Sequence, residues 1–254
     1  MSTSELFGEI LSDTRALVAR SAHPRRRTVS VSPEVAALLD TIGPAASEPE
    51  PETAGELDAL EREVSTCTRC SLSETRTQTV FGDGSPSASL VFVGEAPGEQ
   101  EDRQGLPFVG PAGKLLTDII EKGMKVSRQD VYICNVLKCR PPGNRDPEPE
   151  ERAQCEAYLR QQLSLINPKV ICALGGHAAK TLLKTEEGTG RLRGKWHSYE
   201  GIPLRVTYHP SYLLHKQNDP AQFAAEKRKV WEDIKAVMRV LSGEEDPGTG
   251  GAAT

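Results

Sequence analysis

Four short apolar runs, rich in valine and isoleucine, alternate along the middle of this chain with longer segments of helical spacing. The runs span residues 90–93, 131–137, 170–174 and 204–208, and the helical segments span residues 57–64, 113–122, 148–166, 177–183 and 220–241. Strands that alternate with helices indicate a parallel sheet covered by helices on both faces. The sequence therefore predicts an α/β fold.

Polar and unusual sequence follows three of the predicted strands. The three stretches are GEAPGEQED at the end of the first strand, CNVLKCRPPGNR at the end of the second and YHPSYLL at the end of the fourth. Ligands of parallel sheets bind beyond the carboxyl ends of the strands. We therefore expect these three stretches to meet in one crevice.

Composition separates a central body from two acidic ends. Residues 43–56 are rich in proline, glutamate and alanine and predict a linker, so residues 1–56 form an N-terminal extension, either dispensable or a docking segment. Residues 57–241 form the folded body and residues 242–254 a disordered tail. The total charge is −5, with −4 on the extension and −3 on the tail, which leaves +2 on the body.

Neither a membrane span nor a leader is visible in the sequence. The mean hydropathy is −0.44, and no apolar run approaches the ~20 residues that a spanning helix needs. The first twenty residues lack the apolar segment of a signal peptide, so we expect a cytoplasmic protein without a membrane partner.

Four of the six cysteines are candidates for a metal centre. Two lie in predicted strands and read as buried apolar residues, whereas the other four have polar neighbours: Cys67, Cys70, Cys139 and Cys155. A C-x-x-C pair with two remote cysteines can complete a four-thiolate shell. Such a shell suits zinc or an iron–sulfur cluster, and the spacing leaves both open.

The first polar stretch carries four carboxylates, Glu95, Glu99, Glu101 and Asp102. No G-x-G-x-x-G or G-K-[ST] pattern accompanies them, and their charge would repel a phosphate. Carboxylates at a strand end instead suit the orientation of water or the stabilisation of a developing cation.

Three further residues are candidates for ligand binding. Phe108 lies on a loop rich in glycine and proline, where it is either a stacking surface or a core residue. Asn135 interrupts an apolar strand, and its amide offers both a donor and an acceptor for the edge of a base. His209 is followed by proline at the ligand-facing edge of the sheet, where it is either a functional or a structural residue.

Taken in order, these motifs resemble the family 4 uracil-DNA glycosylases. The likeness runs from about Cys67 to Leu241 and rests on an ordered set: EAPG at 95–98 with Glu101 and Asp102, Asn135, KCRPP at 138–142, Asn144 with Arg145, and HPSYLL at 209–214. The sequence departs from the family 1 enzymes, which have aspartate where Ala96 stands, and this leaves the general base open. It also lacks the basic inserted loop of a related subgroup that crosslinks to DNA.

The resemblance implies a fold, a cofactor and a substrate. The fold is a three-layer α/β/α sandwich with a central four-stranded parallel sheet. The cofactor is a four-iron four-sulfur cluster (4Fe-4S) on Cys67, Cys70, Cys139 and Cys155, with no other small-molecule cofactor. The substrate is uracil in DNA, whose N-glycosidic bond is hydrolysed at the start of base excision repair by a monomeric, nucleoid-associated enzyme.

We expect the following roles for individual residues. The predicted catalytic residues are His209, Glu101 and Glu95. The predicted substrate-binding residues are Gly94, Ala96, Gly98, Phe108, Asn135 and Asn144, and Asn144 is also expected to hold Glu101. The predicted DNA contacts are Ser211, Tyr212, Leu213, Arg191, Arg193 and Lys195, although the three basic residues can also be solvated charges and Leu213 can begin a helix core.

Two other functions remain open at this point. One is a non-catalytic iron–sulfur or zinc module that binds DNA, and the other is a redox protein that uses the cluster for electron transfer. A pure DNA-binding module has no reason to place an acidic stretch next to phosphates. Four cysteines spread over a hydrolase-like body favour a structural cluster over a redox centre.

Overall fold

The computed structural model of the protein describes residues 52–247, and within them one mixed sheet forms the centre. Its strands are β1 (Asp83–Gly84), β2 (Leu90–Gly94), β3 (Tyr132–Asn135), β4 (Val170–Leu174), β5 (Trp196–Tyr199) and β6 (Ile202–Thr207), in the spatial order β1-β3-β2-β4-β6-β5. Strands β3, β2, β4 and β6 are parallel, and β1 and β5 pair antiparallel at the two edges.

Helices cover both faces of this sheet. The helices are α1 (Glu52–Ser65), α2 (Glu99–Gln104), α3 (Pro111–Asp118), α4 (Pro149–Ile166), α5 (Gly176–Leu183), α6 (Thr189–Leu192), α7 (Pro210–Leu214) and α8 (Pro220–Ser242). A π-helical turn, Ile119–Met124, continues α3, and short 3₁₀ turns occur at Ser71–Glu74, Arg128–Asp130 and Pro142–Asn144.

The two faces of the sheet bury two separate hydrophobic clusters. Val91 and Val93 point to the face covered by α1, α4 and α5, whereas Leu90 and Phe92 point to the face covered by α3, α7 and α8. Successive side chains of a strand point to opposite faces, so a strand buried on both faces must be apolar throughout. The result is the expected three-layer α/β/α sandwich with four parallel strands at its centre.

The edge strands and α2 were not predicted from the sequence. The edge strand β1 is only the dipeptide Asp83–Gly84, and β5 has the sequence WHSY, so neither shows the apolar pattern of a strand. Helix α2 begins directly after Gly98 in the acidic stretch, where Glu99, Glu101 and Asp102 occupy its first turn. Acidic side chains are favourable at a helix N-terminus.

The ends of the body differ slightly from the expected boundaries. Helix α1 begins at Glu52, inside the predicted linker, and the predicted helical pattern of residues 4–20 lies outside the described residues. At the other end, Glu245 accepts hydrogen bonds from Trp196 Nε1 (2.9 Å) and Arg239 Nε (2.6 Å), so the first residues of the expected tail are packed against the body. Within residues 52–247, no helix has the length and apolar character that crossing a bilayer requires.

A buried aspartate joins α8 to the sheet. Asp233 is fully buried and accepts hydrogen bonds from Arg193 Nε (3.0 Å), Arg205 Nη2 (3.1 Å), Thr207 Oγ1 (3.1 Å) and the Gly194 amide (3.2 Å). A buried carboxylate requires such partners, because an unpaired buried charge is strongly unfavourable. This group, called the Asp233 network below, fixes the last long helix to β6.

Candidate active site

A cavity of about 430 Å³ opens at the carboxyl ends of the parallel strands. Residues from all three polar stretches line it, together with a fourth group that follows β4: Glu95, Ala96, Gly98, Glu101, Phe108, Asn135, Asn144, Asp146, Gly175, His177, His209 and Ser211. The structure thus places the predicted catalytic residues and most of the predicted substrate-binding residues around one cavity. This is the position in which parallel sheets usually bind their ligands.

The four carboxylates of the first polar stretch have four different environments. Glu95 and Glu101 line the cavity. Glu99 forms an exposed ion pair with Arg103, and Asp102 is buried, where it accepts the Thr77 amide at 2.9 Å. Only two of the four carboxylates are therefore available to a ligand in the cavity.

Glu101 is held by backbone amides. Its Oε1 accepts hydrogen bonds from the amides of Val109 and Gly110, both at 2.9 Å. This corrects the expectation that Asn144 holds Glu101, since the Asn144 Oδ1 accepts a hydrogen bond from Arg140 Nε at 2.7 Å. Glu101 therefore anchors the loop that carries Phe108 while it faces the cavity.

Phe108 and Asn135 form the buried wall of the cavity. Phe108 has a φ of 53°, a left-handed backbone conformation that is uncommon for a bulky residue and that often marks functional loops. Asn135 is 2% exposed, and its Oδ1 has no hydrogen-bond partner. Because buried polar atoms in proteins are nearly always paired, an unpaired one in a cavity indicates a place for a ligand donor.

Gly94 allows this wall to form. A Cβ atom at position 94 would lie 2.3 Å from Asn135 Oδ1 and 2.6 Å from Phe108 Cζ. Both contacts are far inside van der Waals distance. The glycine at the end of β2 is therefore required for the close approach of the two side chains.

His209 presents a neutral imidazole with a defined tautomer. The Ser211 amide donates to Nδ1 at 3.1 Å, and Ser211 Oγ lies 2.7 Å from the same atom, so in the neutral ring the proton is on Nε2. Burial lowers the pKa of His209 to about 4, although the nearby Glu101 charge opposes this shift. The Phe108 and His209 rings are 5.5 Å apart.

The sequence did not single out His177 and Asp146, which form an additional wall of the cavity. His177 Nδ1 lies 3.9 Å from Glu95 Oε1, and His177 Nε2 lies 3.8 Å from Asp146 Oδ2. Burial raises the pKa of Glu95, His177 opposes this shift and Asp146 adds to it. The signal in the sequence was Gly175-Gly176-His177 directly after β4, a polar strand end that reads as the start of a helix.

The four candidate metal ligands line a second cavity. Cys67, Cys70, Cys139 and Cys155 meet there between α1, α4 and the segment after β3, whereas Cys134 and Cys172 are fully buried in strands, as predicted. Arg76 Nη1 donates to Cys139 Sγ at 3.2 Å, and the Lys138 amide donates to Cys155 Sγ at 3.3 Å. Burial raises the pKa of Cys155 to about 11, so the thiolate form requires a positive group such as a metal.

The structure places these four thiols around one cavity, and a shell of four thiolates suits zinc or an iron–sulfur cluster. Within residues 52–247, another set of candidate ligand atoms, those of Glu95, Asp146 and His177, lies within 4.8 Å of one another.

The predicted DNA contacts fall into two groups. Arg191 and Lys195 are exposed, Ser211 lines the cavity, and Tyr212 is half-buried, stacked on Tyr208 with ring centroids 4.7 Å apart. Leu213, by contrast, is 1% exposed and packs in the hydrophobic cluster of α3 and α8, and Arg193 belongs to the Asp233 network. Leu213 is therefore buried and Arg193 is paired with an internal carboxylate, so neither residue belongs to the expected DNA surface.

The fold and the cavity define a class of protein: a three-layer α/β/α domain with a cavity beyond the carboxyl ends of its parallel strands. Residues 81–235 match the family model described as the uracil DNA glycosylase superfamily. The chain belongs to this superfamily.

Several relatives carry a more specific description. The chain is 42% identical over 196 residues to the type-4 uracil-DNA glycosylase of Saccharolobus solfataricus, which covers 74% of this chain and 88% of the relative. It is 42% identical over 193 residues to that of Thermotoga maritima, with coverage of 74% and 96%. It is 45% identical over 184 residues to that of Archaeoglobus fulgidus, with coverage of 69% and 92%.

Proposed function

We propose that this protein is a uracil-DNA glycosylase that takes a flipped uracil into the cavity at the strand ends and hydrolyses its bond to deoxyribose. The observation that carries the proposal is Asn135, a buried amide with an unpaired Oδ1 that lines the same cavity as Glu101 and His209. Flipping is required because a base stacked in a duplex cannot present its glycosidic bond. The type-4 relatives support uracil as the substrate.

Asn135 and Phe108 recognise the base. Uracil presents an N3–H donor, which pairs with Asn135 Oδ1, and an O4 acceptor, which pairs with the amide nitrogen of the same side chain. Cytosine has an acceptor at N3 and a donor at C4, so its binding leaves buried groups unpaired at a cost of roughly 1–3 kcal/mol for each group. Phe108 stacks on the ring.

His209 stabilises the leaving group. As the glycosidic bond breaks, uracil departs as an anion whose charge gathers on O2. The neutral His209 ring donates from Nε2 because its Nδ1 accepts from Ser211. Preorganised donors of this kind contribute strongly to catalysis because they need no reorganisation during the reaction. The backbone N–H groups of the turn at residues 94–98, where only Pro97 lacks one, add to the same effect.

Glu101 and Glu95 act on the sugar side. Deoxyribose becomes cationic as uracil leaves, and the two carboxylates of the cavity favour that charge. They also accept hydrogen bonds from the attacking water. The raised pKa of Glu95 makes it a better acceptor for a proton of the attacking water than a carboxylate of ordinary pKa.

The cysteine cavity suits a four-iron four-sulfur cluster held by Cys67, Cys70, Cys139 and Cys155. The four cysteines around one cavity and the two N–H donors directed at their sulfur atoms support this assignment. When bound, the cluster supplies a crosslink between α1, α4 and the segment after β3. It takes no part in the reaction at the other cavity.

The remaining parts of the proposal concern the whole chain. Residues 57–241 act as the glycosylase domain, residues 1–56 are a dispensable extension, and the enzyme works as a monomer on chromosomal DNA in the cytoplasm. Arg191 and Lys195 contact phosphates, and Ser211 and Tyr212 approach the DNA beside the flipped nucleotide.

The direct test uses an end-labelled oligonucleotide that contains one uracil opposite guanine. After incubation with the pure protein, alkali should cleave the labelled strand at the uracil position and leave a matched cytosine oligonucleotide intact. Binding of both oligonucleotides without cleavage of either would instead support a non-catalytic DNA-binding module.

A further inference from the structure

Lys138 is a buried lysine that the mechanism above does not use. Only 1% of its surface is exposed. Its Nζ donates to the backbone carbonyl of Asn135 at 2.8 Å and to Gln162 Oε1, and it lies 5.8 Å from the centroid of the Phe81 ring. A buried ammonium group persists only where such partners compensate for the lost water.

Gln162 fixes the direction of this contact. It is fully buried, and its Nε2 donates to the Phe81 carbonyl at 3.1 Å and to the Tyr132 hydroxyl at 3.2 Å. With both donors used, the amide oxygen is turned towards Lys138. The ammonium group therefore has two fixed acceptors, Gln162 Oε1 and the backbone carbonyl of Asn135.

The short segment 135–139 joins three parts of the molecule. Asn135 faces the substrate cavity, and Cys139 faces the cysteine cavity. Between them, the amides of residues 136 and 137 donate to the carbonyls of Gly94 and Glu95 at 2.9 and 3.0 Å. The Lys138 amide donates to Cys155 Sγ at 3.3 Å.

We propose that Lys138 is a positioning residue whose contact with the Asn135 carbonyl fixes the orientation of the Asn135 side chain. Selection of the base then depends on this buried contact. The proposal rests on the proposed function, since it assumes that Asn135 reads uracil. Lys138 can act in this way because its backbone is tied to the cysteine centre while its side chain returns to the carbonyl of the recognition residue. The cysteine centre then supports base recognition as well as the fold.

The decisive variant is Lys138→Met, which keeps an unbranched side chain only one atom shorter and removes its donors. We expect the inhibition constant of free uracil to rise about tenfold and the uracil-over-cytosine preference to fall by a similar factor. The visible absorbance and iron content should stay at the wild-type level, because no cysteine is changed. Lys169→Met, at an exposed position, is the matched control and should change neither quantity.

A purely structural role makes a different prediction. If Lys138→Met lowers the melting temperature but leaves both the uracil inhibition constant and the base preference unchanged, the positioning role is wrong. If that variant does not fold, Lys138→Gln decides by the same two measurements, since its shorter side chain keeps a polar group in the site but does not reach as far towards the Asn135 carbonyl. A wild-type enzyme that fails to excise uracil would refute the proposed function first, before either variant is compared.

Discussion

Two buried polar side chains of this molecule differ in how fully their hydrogen-bonding atoms are paired. Asp233 is fully buried and accepts hydrogen bonds from four residues, whereas Asn135 is also buried but leaves its Oδ1 without a partner. A complete network stabilises the fold, and an incomplete one is prepared for a partner that the fold does not supply. Under the proposed function, the difference separates the structural Asp233 from Asn135, which binds substrate.

The strongest test of this contrast is Asp233→Ala. Removal of the carboxylate leaves Arg193 and Arg205 without their buried partner, and we expect a loss of about 3–5 kcal/mol in the free energy of unfolding. Urea unfolding measures this loss. The exposed Asp118→Ala is the matched control and should lose less than about 1 kcal/mol. A small loss in Asp233→Ala would show that the network is not a stabilising element.

His209→Ala should produce the opposite pattern. Loss of the donor to the uracil anion should lower kcat by about 10²–10³-fold with a small effect on stability. Single-turnover excision under saturating enzyme measures the chemical step. His215→Ala, at an exposed position outside the cavity, should retain wild-type excision. Wild-type turnover in His209→Ala would remove this residue from the mechanism.

Gly94→Ala tests the close approach of Phe108 and Asn135. The added methyl group would lie 2.3 Å from Asn135 Oδ1, so the side chains that bind the base must move apart. Displacement of this kind should weaken uracil binding by roughly tenfold or more. The inhibition constant of free uracil measures this loss of binding. Gly188→Ala, where a Cβ meets no atom within 4 Å, is the control.

The pH dependence of stability gives a smaller effect. The pKa of His209 is about 4 in the folded protein and about 6.5 in an unfolded chain. Between these values the unfolded state binds more protons, so the contribution of His209 to stability is complete above pH 6.5 and is lost as the pH falls towards 4. Urea unfolding from pH 7 to pH 4 should show this slope in the wild type and a reduced slope in His209→Gln. Equal slopes would contradict the depressed pKa.

The sequence predicts the central strands of this fold because a strand that is buried on both faces is an unbroken apolar run. Strand β4 was predicted with its correct bounds, and β2 differs by one residue, since each is an unbroken apolar run. The edge strand β5 was missed because one side of it meets solvent and its composition is mixed. Helix α2 was missed because its acidic residues read as a loop.

The site was predictable where its residues follow the central strands, and less so where a partner comes from far along the chain. The sequence placed Glu101, Asn135 and His209 at this edge because each lies at the end of a central strand or shortly after it. Arg193 was assigned to DNA because its partner Asp233 lies forty residues later, and no local pattern reports that contact. His177 was missed because it also begins a helix.

The most direct test of the central claim is the base preference of Asn135→Asp. The claim is that the unpaired amide of Asn135 reads the edge of a flipped uracil. Excision of uracil and of cytosine from otherwise identical oligonucleotides should be compared for this variant and for the wild type. The account predicts that the uracil-over-cytosine ratio falls at least a hundredfold, because the carboxylate lacks the donor for uracil O4. A ratio equal to that of the wild type would contradict it.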